Sequence, residues 1–260
     1  MLRPRIIPCL LVSNKGLVKT VKFDVPKYVG DPINAVKIFN EKEADELIVL
    51  DIDATVNNKD PDFVMIQKLA AECRMPLCYG GGVKTVEHAK QIIGLGVEKV
   101  AISSEAIFNP LLISSIADEI GSQSLVVILD VKKGLFGKYE VMTHNGKNKS
   151  GFTPHEISKR AEELGAGEIV INAIDQDGQM QGYDLTLAAR IREAITIPMT
   201  VLGGAGTLTD IERLLSKCGV IGAAVGSLFV FKGKYRAVLI NYPSQDQKDK
   251  LSLAAFKKIQ

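Results

Sequence analysis

The sequence has no long apolar run and little net charge. No apolar stretch approaches the roughly 20 residues needed to cross a bilayer, and the N-terminus lacks the apolar core and small-residue cleavage site of a signal peptide. The 32 Lys and Arg nearly cancel the 30 Asp and Glu, so no global field recruits nucleic acid or an anionic membrane. These absences predict a cytoplasmic protein that does not bind nucleic acid or a membrane and that holds any anion locally.

Residues that commonly bind metals are few and widely spaced. The cysteines form no C-x-x-C pair, and three of the four fall in apolar strand or helix segments. The three histidines are scattered along the chain, which argues against a histidine-based metal site. We therefore expect buried structural thiols, no metal and no cofactor. The residues concerned are Cys9, Cys73, Cys78 and Cys218, with His88, His144 and His155.

Short runs rich in β-branched residues alternate with longer segments of helical periodicity. Eight such runs in 260 residues predict one parallel (β/α)8 barrel, a TIM barrel, without a linker. We predict a single domain over residues 1–242 and a partly disordered tail over residues 243–260. The eight runs are IIPCLL, ELIVLDIDA, PLCYGGG, KVAIS, LVVILD, EIVINAID, PMTVLGG and IGAAVGS.

The sequence also repeats itself at an offset of 122 positions. This shift places ADELIVLDID (44–53) on AGEIVINAID (166–175), and MPLCYGGGVKT (75–85) on IPMTVLGGAGT (197–207). The apolar face of the helix that follows repeats as well. Because one offset fits both pairs of segments, we predict a barrel built from two similar half-barrels.

Two glycine clusters end the third and seventh predicted strands, one at Gly81 and Gly82, the other at Gly203 and Gly204. Glycine lets backbone N–H groups approach a ligand, and a following helix N-terminus adds partial positive charge, so each cluster can cradle a phosphate. A tight strand-to-helix turn is the alternative for each cluster alone. Their repetition on opposite sides of the barrel favours a ligand phosphorylated at both ends. Further donors for the two sites are Ser103, Ser104, Gly226 and Ser227.

Acidic residues stand at the C-terminal ends of several predicted strands, where barrels of this kind hold their active sites. They are candidates for general acid and base work. Capping of the following helix or loop is the alternative that we expect for at least half of them. Asp130, which closes the apolar run LVVIL, is the strongest candidate. The full set is Asp51, Asp53, Asp130, Asp175 and Asp177.

Four charged residues lie at or near the N-terminal ends of predicted strands one, two, four and six. Barrel interiors are normally packed with branched apolar side chains, so charges at this level are unusual. Two opposite-charge pairs around the barrel floor would form a gate, and ordinary surface ion pairs are the alternative. The four residues are Arg5, Glu46, Lys99 and Glu168.

The chain from residue 1 to 231 resembles the cyclase subunit of imidazole glycerol phosphate synthase, through the motifs RIIPCL, VGDP, DELIVLDIDA, GGG, GSQ, GAGEI, DQDGQMQGYD and GGAG. The resemblance implies a (β/α)8 barrel with a glutaminase subunit docked on its N-terminal face, forming a heterodimer. Ammonia then passes through the barrel to a bisphosphorylated ribonucleotide at the other face. The products implied are imidazole glycerol phosphate and an aminoimidazole carboxamide ribonucleotide.

The resemblance also implies roles for individual residues. It matches the four charged floor residues to a salt-bridged ammonia gate, with all four residue types retained. It matches Lys19 to a lysine in a mobile first loop and places Asp51, Asp177 and the adjacent Gly178 in the substrate site. The phosphate-binding positions that it implies are Gly82, Gly203, Gly204, Gly226 and Ser227.

The chain departs from the family pattern at the position that carries the ring-closing chemistry. The family uses two aspartates, at the ends of strands one and five, because one group donates a proton while another accepts one. Here the fifth strand ends in Asp130, but the first-strand position is Leu11, which cannot transfer a proton. Loss of an essential acid or base commonly costs about 100-fold to 10,000-fold in rate. Ser103 also replaces an asparagine, and the sequence after GSLFVF does not show the pattern of the long amphipathic closing helix that we expect there.

These departures resemble a specialised branch of the family in surface-polysaccharide pathways. There the barrel and a glutaminase supply ammonia for an amidine-bearing sugar, on which a third, amidotransferase-like protein acts. Three hypotheses stay open. The chain is an ammonia-delivering synthase subunit of such a sugar amidotransferase, or a working cyclase of histidine biosynthesis in which another group replaces the missing aspartate. The third is a non-catalytic protein that binds a phosphorylated ligand and activates the glutaminase.

Overall fold

Eight parallel strands close into a barrel in this computed structural model, which describes residues 3–256. Each strand pairs with the next along the chain, and the last pairs with the first through Arg5 and Gly222, among others. The predicted (β/α)8 barrel is confirmed. The barrel strands are β1 (Arg5–Ser13), β2 (Leu47–Asp51), β3 (Leu77–Gly80), β4 (Lys99–Ile102), β5 (Leu125–Lys133), β6 (Glu168–Ala173), β7 (Met199–Leu202) and β8 (Gly222–Val225).

Helices surround the barrel, and short strands extend two of its loops. The antiparallel segments Gly16–Lys19 and Lys27–Gly30 follow β1, and Tyr139–Thr143 and Asn148–Lys149 follow β5. A small ribbon of Phe231–Lys232 and Ala237–Val238 follows the last barrel strand. The helices are α1 (Pro32–Glu41), α2 (Phe63–Glu72), α3 (Val86–Gly94), α4 (Ser104–Phe108), α5 (Leu111–Ile120), α6 (Pro154–Glu163), α7 (Leu185–Ala194), α8 (Leu208–Cys218), α9 (Ser227–Val230) and α10 (Gln245–Phe256).

The apolar residues separate into two packed layers because side chains alternate across each strand. Along β1, Ile6 and Leu10 pack outward against the helices, whereas Ile7 and Cys9 point into the barrel. The inner layer contains several small side chains, among them Cys78, Ala101 and Ala224. Burial of both layers supplies the main driving force for this fold.

The two half-barrels are visible in the helix positions. The helices α1, α2 and α3 begin 122 residues before α6, α7 and α8, as the sequence repeat predicted. Their caps repeat too, since Thr85 accepts a hydrogen bond from the third residue of α3 and Thr207 does the same for α8. One extra residue enters the second half before α9, which begins 123 positions after α4.

The expectation of a partly disordered tail is wrong over residues 245–256, which form α10. This helix packs against α8 and buries Leu251, Ala254 and Ala255, a spacing of i, i+3 and i+4. Its polar side chains are tied down by ion pairs from Arg3 to Asp249 (3.2 Å) and from Lys248 to Asp45 (2.8 Å). The short apolar stripe among charged residues hid the helix in the sequence. Residues 257–260 of the predicted tail lie outside the described residues.

Candidate functional site at the mouth of the barrel

A cavity of about 470 Å³ opens at the C-terminal ends of the strands. This is the face at which the sequence predicted the site. Leu11, at the position of the missing aspartate, is part of its wall. The predicted site residues that also line it are Lys19, Asp51, Asp53, Gly81, Gly82, Ser103, Ser104, Asp130, Asp177 and Gly226.

Four other predicted site residues, Gly178, Gly203, Gly204 and Ser227, do not line this cavity. A Cβ on Gly178 would lie 2.3 Å from the carbonyl oxygen of Thr20, and a Cβ on Gly204 would lie 2.1 Å from that of Gly182. Both glycines have positive φ, and another backbone segment passes close to each of them. These two features are sufficient to require glycine at both positions. The tight-turn interpretation accounts for this second cluster in the present geometry, and its phosphate-binding role stays a prediction.

Asp130 is held by Asn172, a residue that sequence reasoning missed. The two residues are register partners on β5 and β6, and Asn172 Nδ2 donates to Asp130 Oδ1 at 2.9 Å. Burial raises the pKa of Asp130 to about 7, with a contribution from the charge of Asp177, whereas the Asn172 hydrogen bond lowers it. A carboxyl group with this pKa can both give and take a proton near neutral pH. The available signal for Asn172 was a polar residue inside the apolar run EIVINA.

The first loop folds over the mouth and buries Lys19. The ammonium nitrogen donates to the carbonyl oxygen of Cys9 at 2.7 Å, and burial lowers the pKa of this lysine. Asp177 anchors the same loop by accepting from Thr20 Oγ1 at 2.7 Å and from the Phe23 N–H at 3.3 Å. Burial raises the pKa of Asp177, and these hydrogen bonds oppose the rise. The first loop thus carries Lys19 and is anchored by Asp177, which places two residues of opposite charge at the mouth.

The other strand-end acids are used in loops, as the capping alternative anticipated. Asp51 Oδ1 accepts from the N–H groups of Asp53 and Ala54, at 2.9 and 3.1 Å. Asp53 in turn accepts from the hydroxyl of Ser13 at 2.9 Å, and Asp175 accepts from a backbone N–H at 2.7 Å. Asp51 and Asp53 also line the cavity, and burial raises the pKa of Asp51.

One side of the mouth is apolar. Leu11 and its register partner Leu50 pack on the inner layer, and both line the cavity together with Ile128 and Leu202. Asp130 therefore shares the cavity with a wall of hydrocarbon side chains.

The four charged residues at the other end of the barrel form a closed ring. Arg5 donates to Glu46 and, at 2.7 Å, to Glu168. Lys99 completes the ring with hydrogen bonds of 2.8 Å to Glu46 and 2.9 Å to Glu168. Thr200 adds a hydroxyl donor to Glu168 at 2.6 Å. We call these four charged residues the floor ring.

The floor ring is ionised and mostly buried. Glu46 and Glu168 are 3% and 5% exposed, so neither is an ordinary surface charge. Burial alone would raise the pKa of Glu168, but hydrogen bonds and charges from Arg5 and Lys99 lower it to about 2. The two acids raise the pKa of Lys99 against the effect of its burial. Two cations and two anions thus neutralise one another across the barrel floor.

Within residues 3–256, no group of three or more His, Cys, Asp or Glu side chains is arranged to hold a metal ion. Over the same span no helix has the length and apolar character to cross a membrane. Cys9, Cys78 and Cys218 are buried, Cys73 is partly buried, and none of the four is in a disulfide.

The cavity over a closed parallel barrel defines the class of (β/α)8 barrels with a ligand site at the C-terminal face. Comparison with known proteins is more specific. Residues 5–236 match the family described as "Histidine biosynthesis protein". The chain belongs to this family and, within it, to the cyclase subunits of the imidazole glycerol phosphate synthase type.

Three relatives illustrate the range of similarity. A provisionally named imidazole glycerol phosphate synthase subunit of Vibrio vulnificus is 58% identical, covering 96% of each chain. Another provisionally named imidazole glycerol phosphate synthase subunit, from Pseudomonas aeruginosa, is 51% identical, covering 96% of this chain and 99% of the relative. The imidazole glycerol phosphate synthase subunit HisF of Alkaliphilus metalliredigens is 39% identical, covering 88% of this chain and 91% of the relative.

Proposed function

We propose that this chain is the ammonia-delivering synthase subunit of a glutamine amidotransferase. It receives ammonia from a glutaminase subunit on its N-terminal face and passes it through the barrel to a phosphorylated acceptor in the mouth cavity. The observation that carries the proposal is the combination of an intact floor ring with Leu11 opposite Asp130. The ammonia inlet is retained, while one half of the ring-closing acid–base pair is replaced by hydrocarbon.

The inner layer supports a conduit between floor and mouth. Above the floor ring, the apolar barrel interior contains the short side chains of Cys78, Ala101 and Ala224 among larger branched ones. Neutral ammonia is small and needs no counter-charge, whereas an ion in this layer would pay a large desolvation cost. A path that favours the neutral molecule is therefore consistent with the residues between the two polar ends.

The acceptor that we propose is a sugar derivative that becomes an amidine, in a surface-polysaccharide pathway. The family resemblance supplies this assignment, and with it a third, amidotransferase-like protein that acts on the sugar. The geometry contributes one argument. An acceptor that needs ammonia but no ring closure requires one titrating group at the mouth, and Asp130 with its pKa near 7 is such a group.

A working cyclase of histidine biosynthesis is the second candidate, and the same carboxyl group favours it. A residue with pKa about 7 can act as an acid in one step and a base in the next, which reduces the need for a second aspartate. The 39% identity to a HisF subunit over most of both chains also fits this candidate.

The experiment is the ammonia-dependent turnover of the bisphosphorylated aminoimidazole ribonucleotide, followed by its loss of absorbance, in the parent chain and in Leu11→Asp. Leu50→Asp is the matched control, because Leu50 is the register partner of Leu11 and lines the same cavity. We expect the parent to turn over this substrate at least about 100-fold slower than Leu11→Asp. Leu50→Asp should give no such gain in turnover, since the carboxylate of this variant would lie on β2 and not at the position of Leu11 on β1.

Efficient turnover by the parent would establish the cyclase candidate and remove our proposal. A third outcome separates the ligand-binding activator. In that case the chain stimulates glutamine hydrolysis by its partner, and opening the gate with Lys99→Met makes no difference.

A further inference from the structure

The start of β1 is joined to the start of β2 by side chains in place of sheet hydrogen bonds. The β1 ladder with β2 begins only at Cys9 and Ile48, whereas the first part of β1, from Arg5 to Pro8, pairs with β8. Between the first residues of β1 and those of β2 the connection is made by Asp45, just before β2, which accepts the Ile6 N–H at 2.9 Å.

The C-terminal segment completes this connection. The Tyr242 hydroxyl donates to the carbonyl oxygen of Ile6 at 2.7 Å and accepts the Asp45 N–H at 3.1 Å. Lys248, on α10, donates to Asp45 Oδ1 at 2.8 Å and to the carbonyl oxygen of Glu43 at 3.1 Å. We call Asp45, Tyr242 and Lys248 the latch.

The latch is itself firmly held. The Tyr242 ring packs edge-on against Phe229 and Phe39, with centroids 5.3 and 6.4 Å apart, and the Lys248 nitrogen lies 5.5 Å from the centre of the same ring. Only 12% of the Lys248 side chain is exposed. Its ion pair with Asp45 is therefore better shielded from solvent than an ordinary surface pair.

The latch fixes the starts of β1 and β2, and each of these strand starts carries a member of the floor ring. Ile6 follows Arg5 directly, and Asp45 precedes Glu46. Arg5 and Glu46 are hydrogen-bonded to each other across the same pair of strands. Because a buried ring closes only while its side chains stay within hydrogen-bond distance, a shift between these two strand starts opens it.

We infer that Asp45, Tyr242 and Lys248 are positioning residues that hold the floor ring closed, and that displacing the C-terminal segment opens it. The inference rests on the proposed function only where it treats the ring as the inlet for ammonia. A partner on the N-terminal face lies beside α10 and can act on the ring by moving this helix. The C-terminal segment thereby couples partner binding to the admission of ammonia.

The reactivity of Cys78 shows whether the floor ring is closed, and it does so without any assumption about the acceptor. This thiol is buried inside the barrel beside Glu46, Lys99 and Glu168, and it does not line the mouth cavity. The test measures the rate at which methyl methanethiosulfonate modifies Cys78 in the full chain, located by peptide mass spectrometry. The thiolate attacks the reagent sulfur, a mixed disulfide forms, and methanesulfinate leaves.

Tyr242→Phe and Lys248→Met each remove two hydrogen bonds. We expect each to speed this modification at least about fivefold, which corresponds to about 1 kcal/mol, the net contribution of a single hydrogen bond. Arg5→Ala removes a ring member and sets the upper reference. Tyr139→Phe is the matched control, because it deletes a hydroxyl hydrogen bond to Asp184 away from the ring. Urea unfolding of each variant identifies any rate increase that comes from global unfolding.

Two results would overturn the inference. In the first, Cys78 is modified faster in Arg5→Ala but at the parent rate in Tyr242→Phe and Lys248→Met. The floor ring would then be a barrier that the latch does not control. No acceleration in Arg5→Ala would mean that the ring does not close the floor, and the gate in the proposed function would fall with the latch. Acceleration in the latch variants without ammonia transfer to any acceptor would support the latch and refute the proposed function alone.

Discussion

Replacement of Glu168 by glutamine tests the floor ring through stability. The glutamate accepts hydrogen bonds from Arg5, Lys99 and Thr200 and is 5% exposed. With a pKa of about 2 in place of the ordinary 4.5, its ionised form stabilises the fold at pH 7 by about 3 kcal/mol. Glu168→Gln should therefore lower the free energy of unfolding by about 3 kcal/mol at pH 7, as expected for breaking a buried ion pair.

The same argument fixes the pH dependence. Because the folded pKa of Glu168 is below the unfolded value, its contribution is complete above about pH 5 and declines as the pH falls from 4.5 toward 2. The difference between parent and Glu168→Gln should shrink to about half at pH 3. Urea unfolding at pH 7, 5 and 3 measures it, with the exposed Glu163→Gln as the control.

A loss much below 1 kcal/mol at pH 7 would refute the reasoning, since the ring would then contribute no more than surface ion pairs do. A difference that stays constant down to pH 3 would also refute it, because the effect would then come from packing alone.

Two further predictions concern the mouth and the glycine turns. Asp177→Asn removes a negative charge that raises the pKa of Asp130, so the pKa of Asp130 should fall below about 7. A carbon-13 titration of the carboxyl group measures it, and an unchanged or higher value would contradict this electrostatic cause. Gly204→Ala should lower the free energy of unfolding by more than about 1 kcal/mol, because its Cβ would meet the carbonyl oxygen of Gly182 at 2.1 Å with φ at +111°. Gly94→Ala, whose Cβ meets nothing within 4 Å on a helix, should leave stability unchanged or raise it, as thermal unfolding would show.

Local and periodic features of the sequence were sufficient for the barrel. The 122-residue repeat predicted that helices would begin in matched pairs, and α1 and α6 do so at Pro32 and Pro154. The positions of Arg5 and Glu46 at the starts of predicted strands one and two placed them at one level, because parallel barrel strands begin at the same face. These features depend on short-range geometry, which one sequence displays directly.

Contacts between distant segments were the part that could not be predicted. Asn172 binds Asp130 because β5 and β6 are in a particular register, and register depends on the closed barrel as a whole. The glycines at 203 and 204 resemble a phosphate cradle in sequence, but the backbone atoms that crowd them belong to Ala173 and Gly182, in other segments of the chain. The helix α10 is stabilised by its contacts with α8, and its own apolar stripe is too short to predict it.

The apolar inner layer has a consequence for proton balance. The buried residues between the floor ring and the mouth include a layer of hydrocarbon and thiol groups. If the barrel carries ammonia as we propose, an ammonium ion that arrives at the floor has to leave a proton there before its nitrogen crosses this layer, because the layer disfavours a charge. The nitrogen then reaches the mouth without that proton, where Asp130, with its pKa of about 7, can supply one. On the proposed function, the apolar layer thus separates two acid–base environments within one folded chain.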